Sequence, residues 1–540
     1  MKNAIVAAIS ITVLVAAPAA PASPQELCMG ERATIVGTPD GDELEGTPGR
    51  DVIVALDGID TVRAGGGDDV ICAGWGLDYV YAGAGDDRVD GGWGTDRILG
   101  GDGNDDLDGG WEEDRLVGGE GDDRLSGGRY DPRVDRAVYS TSASPISADL
   151  ATGRVTGAAS GTDELRYMEG VVGTPGADEL LGDRLPNDLT GRGGDDTIDG
   201  RGGADTILGG EGDPSWQTDD GRDVVHGGDG DDDISGGYGS DELFGDGGAD
   251  VLMSLGLREP NPALDGAGTL HGGDGDDELV SGPRDDTLDG DDGLDLVSYA
   301  HFDASVVVDI GAQSAAGEGV DVLVSVEGAR GTRLADSLLG DDGPNVLAGY
   351  GEGDTVRGGG GDDRLSGWSG ATTRPLVLDG GDGDDEIALF GGCFGSCPPE
   401  AVGSGTLAGG PGDDVLRSYP QGYTLDGGEG ADTAAYSSQL NDGTVIDLVR
   451  AEAWPNDERC TAEQDCLADR LVSIENAVGG RRADILLGND APNVLGGLQG
   501  HDRIEGRAGD DTIDGGPGDD SADGGEGADT CGNVEAPVSC

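Results

Sequence analysis

From Gly37 to Ser126 the polar and apolar positions repeat every nine residues without a gap, in units such as GTPDGDELE, GTPGRDVIV, AGGGDDVIC and AGWGLDYVY. The sixth position is aspartate in every unit, running Asp42, Asp51, Asp60, Asp69, Asp78, Asp87, Asp96, Asp105, Asp114 and Asp123. The eighth is always aliphatic, from Leu44 and Ile53 to Leu116 and Leu125. The same frame returns with interruptions from Gly173 to Ser298, then from Gly331 to Ala435 and from Gly479 to Gly532. Side chains alternate between the two faces of a strand, so a short strand over positions seven to nine turns the aliphatic residue inward and leaves its neighbours in water. The other six positions, rich in glycine that reaches backbone angles closed to other residues, form a turn. The pattern predicts an all-β solenoid of stacked coils in which one small aliphatic side chain per unit forms the core.

Three segments break the frame and resemble one another. They open with Asp135 to Tyr139, Asp295 to Tyr299 and Asp432 to Tyr436, pass through Asp149, Asp309 and Asp447, and close on D-x-L-x-x-apolar-E elements at Asp163 to Glu169, Asp321 to Glu327 and Asp469 to Glu475. The expected organisation is therefore four repeat blocks, 37–128, 173–298, 331–435 and 479–540, joined by β-rich inserts at 129–172, 299–330 and 436–478, with a cap at 23–36. Threefold repetition makes the inserts strands that extend or cap the coils. A catalytic use of their Tyr, Asp and Glu, as in a polysaccharide-acting enzyme, is the alternative.

Charge changes the picture. The 540 residues carry 32 Lys plus Arg against 110 Asp plus Glu, a formal charge of −78, which excludes a nucleic-acid binder. With 108 glycines, 35% hydrophobic and 4% aromatic residues, such a chain stays disordered unless something neutralises the carboxylates and replaces the missing apolar burial. One aliphatic side chain per nine residues does not offset the backbone entropy of ordering them. A divalent cation does both jobs. Carboxylates and turn carbonyls are hard oxygen ligands that suit calcium more than magnesium, and not zinc. The calcium-free chain is expected to be largely unfolded.

The units GGDGNDDLD at 100–108 and GGEGDDRLS at 118–126 resemble the glycine- and aspartate-rich nonapeptide of the repeats-in-toxin (RTX) family. The resemblance covers most of residues 37–532. It implies a right-handed parallel β-roll, two nonapeptides to a coil, with several calcium ions between turns held by sixth-position aspartates and backbone carbonyls. The turns closest to the family pattern put Asp69, Asp87, Asp105, Asp123, Asp196, Asp205, Asp232, Asp250, Asp277, Asp363, Asp385, Asp414, Asp432, Asp511, Asp520 and Asp529 in that role. On the opposite edge of the first block the fifth positions are Ile59, Leu77, Thr95 and Glu113, and Glu112 replaces a turn glycine, so calcium is expected mainly on the side of Asp69 to Asp123.

That opposite edge carries Trp75, Trp93 and Trp111, spaced one coil apart, which should stack as a structural ladder or offer a platform to cell-surface glycans or matrix. The chain starts with Met1, Lys2 and the apolar run Ala4 to Ala17, followed by small residues to Ala22, which reads as a secretory signal over 1–22. No later segment approaches a membrane-spanning length. In a secreted protein the eight cysteines are expected as disulfides, with proximity favouring Cys28 with Cys72, Cys393 with Cys397, Cys460 with Cys466 and Cys531 with Cys540. His226, His271, His301 and His501 are scattered, with no H-E-x-x-H pair, no G-x-S-x-G elbow and no phosphate loop. The sequence therefore reads as a calcium-binding, secreted structural or adhesive repeat protein rather than an enzyme.

Overall fold

The computed structural model describes residues 27–128, 133–142, 144–157, 159–210, 221–255, 266–351, 353–368, 374–390, 405–420, 422–436, 443–456 and 468–540. They form two compact units, one comprising residues up to Tyr139 with Gly153–Gly170, the other Ser140–Thr152 with Val171–Cys540. The segment 129–172 thus contributes to both units.

In the first unit alternate strands build two parallel sheets. One contains Thr61–Gly66, Tyr79–Ala84, Arg97–Asp102 and Arg115–Glu120; the other contains Val52–Asp57, Val70–Trp75, Arg88–Trp93 and Asp106–Trp111. Each strand pairs in register with the next but one, so Val62 lies opposite Val80 and Ile98 opposite Leu116. These strands run six residues rather than three, because identical turns stacked on one another go on pairing. Gly58 N–H donates to the Trp75 carbonyl at 2.7 Å, and Gly76 N–H to that of Trp93 at 2.7 Å. The stacking is so close that a Cβ on Gly94, whose φ is +127°, would lie 1.4 Å from the Gly76 carbonyl oxygen. Glu112 takes the equivalent place one coil on by settling at φ +84°.

The eighth-position Val62, Val80, Val89, Ile98, Leu107 and Leu116 are fully buried. The core is larger than one aliphatic residue per unit. Because alternation continues through the longer strand, position one also faces inward, and Ala55, Ala64, Ala73 and Ala82 are fully buried with the sixth-position aspartates beside them.

The second unit repeats this arrangement, with Val225, Leu243, Leu270 and Leu288 stacked in successive parallel strands. Its inserts are extra strands of the same sheet. Val307–Asp309, Ser314–Ala316 and Val320–Val324 run antiparallel to one another, while the first and last pair in parallel with Ser337–Leu339 and Thr287–Asp292. Thr444–Asp447, Glu452–Pro455 and Asp469–Val472 do the same. In the first unit Gly161–Arg166 joins Arg154–Gly157 antiparallel and Arg124–Ser126 in parallel.

Cys28 and Cys72 are disulfide-bonded, their Cα atoms 5.6 Å apart, with Cys28 packed against Val52, Val54 and Val70. Cys531 and Cys540 form a second bridge at the C-terminus, with a Cα separation of 5.7 Å. Cys393, Cys397, Cys460, Cys466 and residues 1–22 lie outside the described residues. Among the described residues no helix is long and apolar enough to cross a membrane.

Candidate metal centre

Stacking coils of fixed length places each sixth-position aspartate over the next, and the backbone joins them into ladders. On one edge of the first unit Asp42 N–H donates to Asp60 Oδ1 at 2.7 Å, Asp60 N–H to Asp78 Oδ1 at 2.7 Å, and so on through Asp96 and Asp114, each at 2.8 Å. On the other edge Asp51 N–H donates to Asp69 Oδ1 at 2.7 Å, Asp69 to Asp87 at 2.7 Å, Asp87 to Asp105 at 2.9 Å and Asp105 to Asp123 at 2.8 Å. In the second unit Asp205, Asp232, Asp250, Asp277 and Asp295 form one such series, and Asp363, Asp385, Asp414 and Asp432 another.

Each carboxylate uses one oxygen in the ladder, and the second decides the chemistry. In Asp69, Asp87, Asp105, Asp123, Asp205, Asp232, Asp250, Asp277, Asp363, Asp385, Asp414, Asp432, Asp511, Asp520 and Asp529, Oδ2 is buried without a hydrogen-bond partner. Asp196 sits in a further ladder, with Oδ1 accepting from the Asp178 N–H at 2.7 Å and its own N–H donating to Asp223 Oδ1 at 2.8 Å. A buried, unpartnered carboxylate oxygen is costly, and desolvation drives such groups toward protonation. Burial accordingly pushes Asp87 and Asp123 up to about 6 and Asp105 to about 7.

The other edge of the first unit has the same geometry, which the variable fifth positions concealed. Asp60, Asp78, Asp96 and Asp114 also bury an unpartnered Oδ2, as do Asp295 and Asp502. Burial pushes Asp96 up to about 8 and Asp114 to about 9. The sixth-position frame alone was the signal for these residues. The edges do differ in a second ladder: Asp86 N–H donates to Asp68 Oδ1 at 3.1 Å, Asn104 N–H to Asp86 Oδ1 at 2.9 Å and Asp122 N–H to Asn104 Oδ1 at 2.8 Å. The facing edge has Ile59, Leu77, Thr95 and Glu113 at those positions.

Turns that begin a block satisfy the second oxygen themselves. The second oxygens of Asp42, Asp51, Asp178, Asp336 and Asp484 accept backbone N–H groups of their own turns, from Thr38, Thr47, Thr174, Thr332 and Gly480, at 2.5 to 2.7 Å. At Asn187, Asn345 and Asn493 an amide oxygen does likewise, accepting from the N–H groups of Asp183, Asp341 and Asn489. The ladders also end on purpose-placed groups. Glu169, Glu327 and Glu475 of the inserts accept the N–H groups of Asp135, Asp295 and Asp432 at 3.1, 3.0 and 3.0 Å, and Glu535 accepts that of Asp520 at 2.7 Å. The insert carboxylates are thus part of the ladder, which accounts for their spacing without a catalytic role.

Between those ends the donor set is all oxygen, anionic and partly unsatisfied, and it fits a hard dication. Fold and site together define a parallel β-coil protein with cation-binding turns. The chain belongs to the RTX calcium-binding nonapeptide repeat family, whose model matches residues 45–80, 73–107, 108–129, 181–214, 217–252, 264–299, 333–373, 402–434 and 496–531, more than half of the chain. No curated protein sequence matches it. That family is described by calcium binding at its nonapeptide repeats.

Proposed function

We propose that calcium, held at the buried sixth-position aspartates, folds this chain into a secreted structural or adhesive scaffold. The observation that carries the reading is the row of buried Oδ2 atoms without partners, interrupted where a turn satisfies its own aspartate or a hydroxyl group reaches it. The ligand set comprises the aspartates named from the sequence, from Asp69 to Asp529, together with Asp60, Asp78, Asp96, Asp114, Asp295 and Asp502. When bound, calcium supplies positive charge that keeps these groups ionised inside the coil. The chain's part is to present pre-aligned carboxylates, one oxygen fixed by the preceding coil, beside turn carbonyls.

Trp75, Trp93 and Trp111 stack with centroids 5.1 and 4.7 Å apart and planes 18° and 9° from parallel. Stacked indoles shield one another's faces, which supports a structural column. A sugar or matrix partner is left with the ring edges and with Trp75, which is 60% exposed.

Far-ultraviolet circular dichroism during a calcium titration, with magnesium as control, tests the folding claim. A cooperative coil-to-β transition specific to calcium is expected. A calcium-free chain already rich in β-structure and indifferent to the ion would overturn it.

A further inference from the structure

Away from the turns, on the outward face of one sheet in the second unit, His226, Phe244, His271 and Asp289 lie directly opposite one another in successive parallel strands. We propose that His271, Asp289 and Asp291 bind one first-row transition-metal dication, at a site separate from the calcium turns. Among the described residues this is the place where three such side chains bring their ligand atoms within 4.8 Å of one another.

The distances leave room for a shared ion. His271 Nδ1 is 3.9 Å from Asp289 Oδ2 and 3.6 Å from Asp291 Oδ2, too long for hydrogen bonds. Two ligands bound to one metal at about 2.0 to 2.2 Å stand roughly 3 to 4 Å apart, so these separations suit a shared ion. The contrast lies two strands away, where His226 Nδ1 meets Asp246 Oδ2 at 3.0 Å, an ordinary hydrogen-bond distance.

The imidazole is also held in place. Phe244 is sandwiched between His226, at 4.4 Å and 5° from parallel, and His271, at 4.9 Å and 4°, which fixes the plane of the His271 ring. Asp291 N–H donates to Asp289 Oδ1 at 3.3 Å, leaving Oδ2 toward the histidine. A cavity of about 400 Å³ opens beside the group, with Asp246, Asp274 and Asp292 on its walls, giving room for water ligands. Calcium prefers an all-oxygen shell, whereas a nitrogen with two carboxylates suits zinc, cobalt, nickel or manganese.

Asp291 makes the test clean. It lies opposite Gly273 in the register and itself adopts φ +64°, so Asp291→Gly removes a ligand where the backbone already favours glycine. The experiment is isothermal titration of the untagged, full-length, calcium-saturated chain with zinc. One zinc per chain is expected, weakened at least tenfold by Asp291→Gly and by His271→Ala and unchanged by Asp426→Asn on a strand outside this cavity, each variant keeping the wild-type calcium-dependent circular dichroism. Absence of zinc binding in the wild type would overturn the proposal. So would a zinc isotherm that survives both Asp291→Gly and His271→Ala, or one abolished by a modest excess of calcium.

Discussion

Tyr139 donates its hydroxyl hydrogen to Asp163 Oδ2 at 2.9 Å, supplying the partner that the second oxygens of Asp69, Asp87, Asp105 and Asp123 lack. Asp163 Oδ1 meanwhile accepts the Asp123 N–H at 3.0 Å, continuing the ladder, so a buried phenol closes the row where a cation would otherwise be needed. Tyr299 does the same for Asp321 at 2.9 Å, with Asp321 Oδ1 accepting the Asp286 N–H at 3.0 Å. For Asp469 of the third insert the donor is Ser418 Oγ of the preceding block, at 2.8 Å from Oδ2.

Tyr139→Phe leaves Asp163 Oδ2 buried without its donor, and such a group costs about 1 to 3 kcal/mol. The calcium-loaded variant should lose that much stability in urea denaturation while binding the same number of ions. Unchanged stability would show that the phenol is a filler rather than a cap.

The two edges of the first unit can be compared directly. Asp96→Asn and Asp105→Asn each keep an oxygen for the ladder but remove the charge, so both should raise the calcium concentration at half-folding. An effect confined to Asp105→Asn would restore the one-sided arrangement suggested by the fifth positions.

Acidity should partly replace calcium. Asp87, Asp105 and Asp123 have folded-state values of about 6, 7 and 6, against an ordinary 3.8, because burial disfavours the charged form. A raised carboxyl value means that the folded state binds the proton more tightly. Its stabilising contribution is full below about pH 4 and is lost as the pH rises through 6 to 7. The calcium-free chain should therefore gain β-structure on acidification from about pH 7.5 to 4, and calcium affinity should fall over the same range as protons compete. Circular dichroism at fixed ionic strength measures both; β-structure that falls on acidification contradicts the desolvation argument.

Gly94→Ala would put a methyl 1.4 Å from the Gly76 carbonyl oxygen, an overlap that the stacked backbone must shift to relieve, and the φ of +127° alone costs about 1 to 3 kcal/mol, so a larger loss than that is expected. Gly49 has nothing within 4 Å of its Cβ position, so Gly49→Ala should leave the denaturation midpoint nearly unchanged. Comparing the two by urea denaturation separates crowding from the general effect of adding alanine.

Trp93→Ala removes both ring contacts of the central indole, and aromatic pairs contribute about 0.5 to 1.5 kcal/mol each. A loss of roughly 1 to 3 kcal/mol with calcium binding retained is expected for a structural column. Loss of glycan or surface binding at unchanged stability would instead make the indoles a platform.

Much of this was legible in the sequence because a repeat of fixed length maps directly onto a coil. Asp42 to Asp123 announced the ladder by position, Val62 and Leu116 the core, and Trp75, Trp93 and Trp111 the stack, since residues one period apart must lie side by side. What escaped was how each atom is satisfied. Asp51 and Asp69 occupy the same position in the frame, yet Thr47 N–H completes the first while the second retains an unpartnered oxygen. The same applies to Tyr139 with Asp163, and to His271 with Asp289 and Asp291. Their meeting depends on strand register across an insert or on the outward face, where spacing is irregular. Periodicity determines which residues become neighbours; only the tertiary structure decides which polar atoms find partners, because hydrogen bonds and ligand distances turn on fractions of an ångström that no repeat specifies.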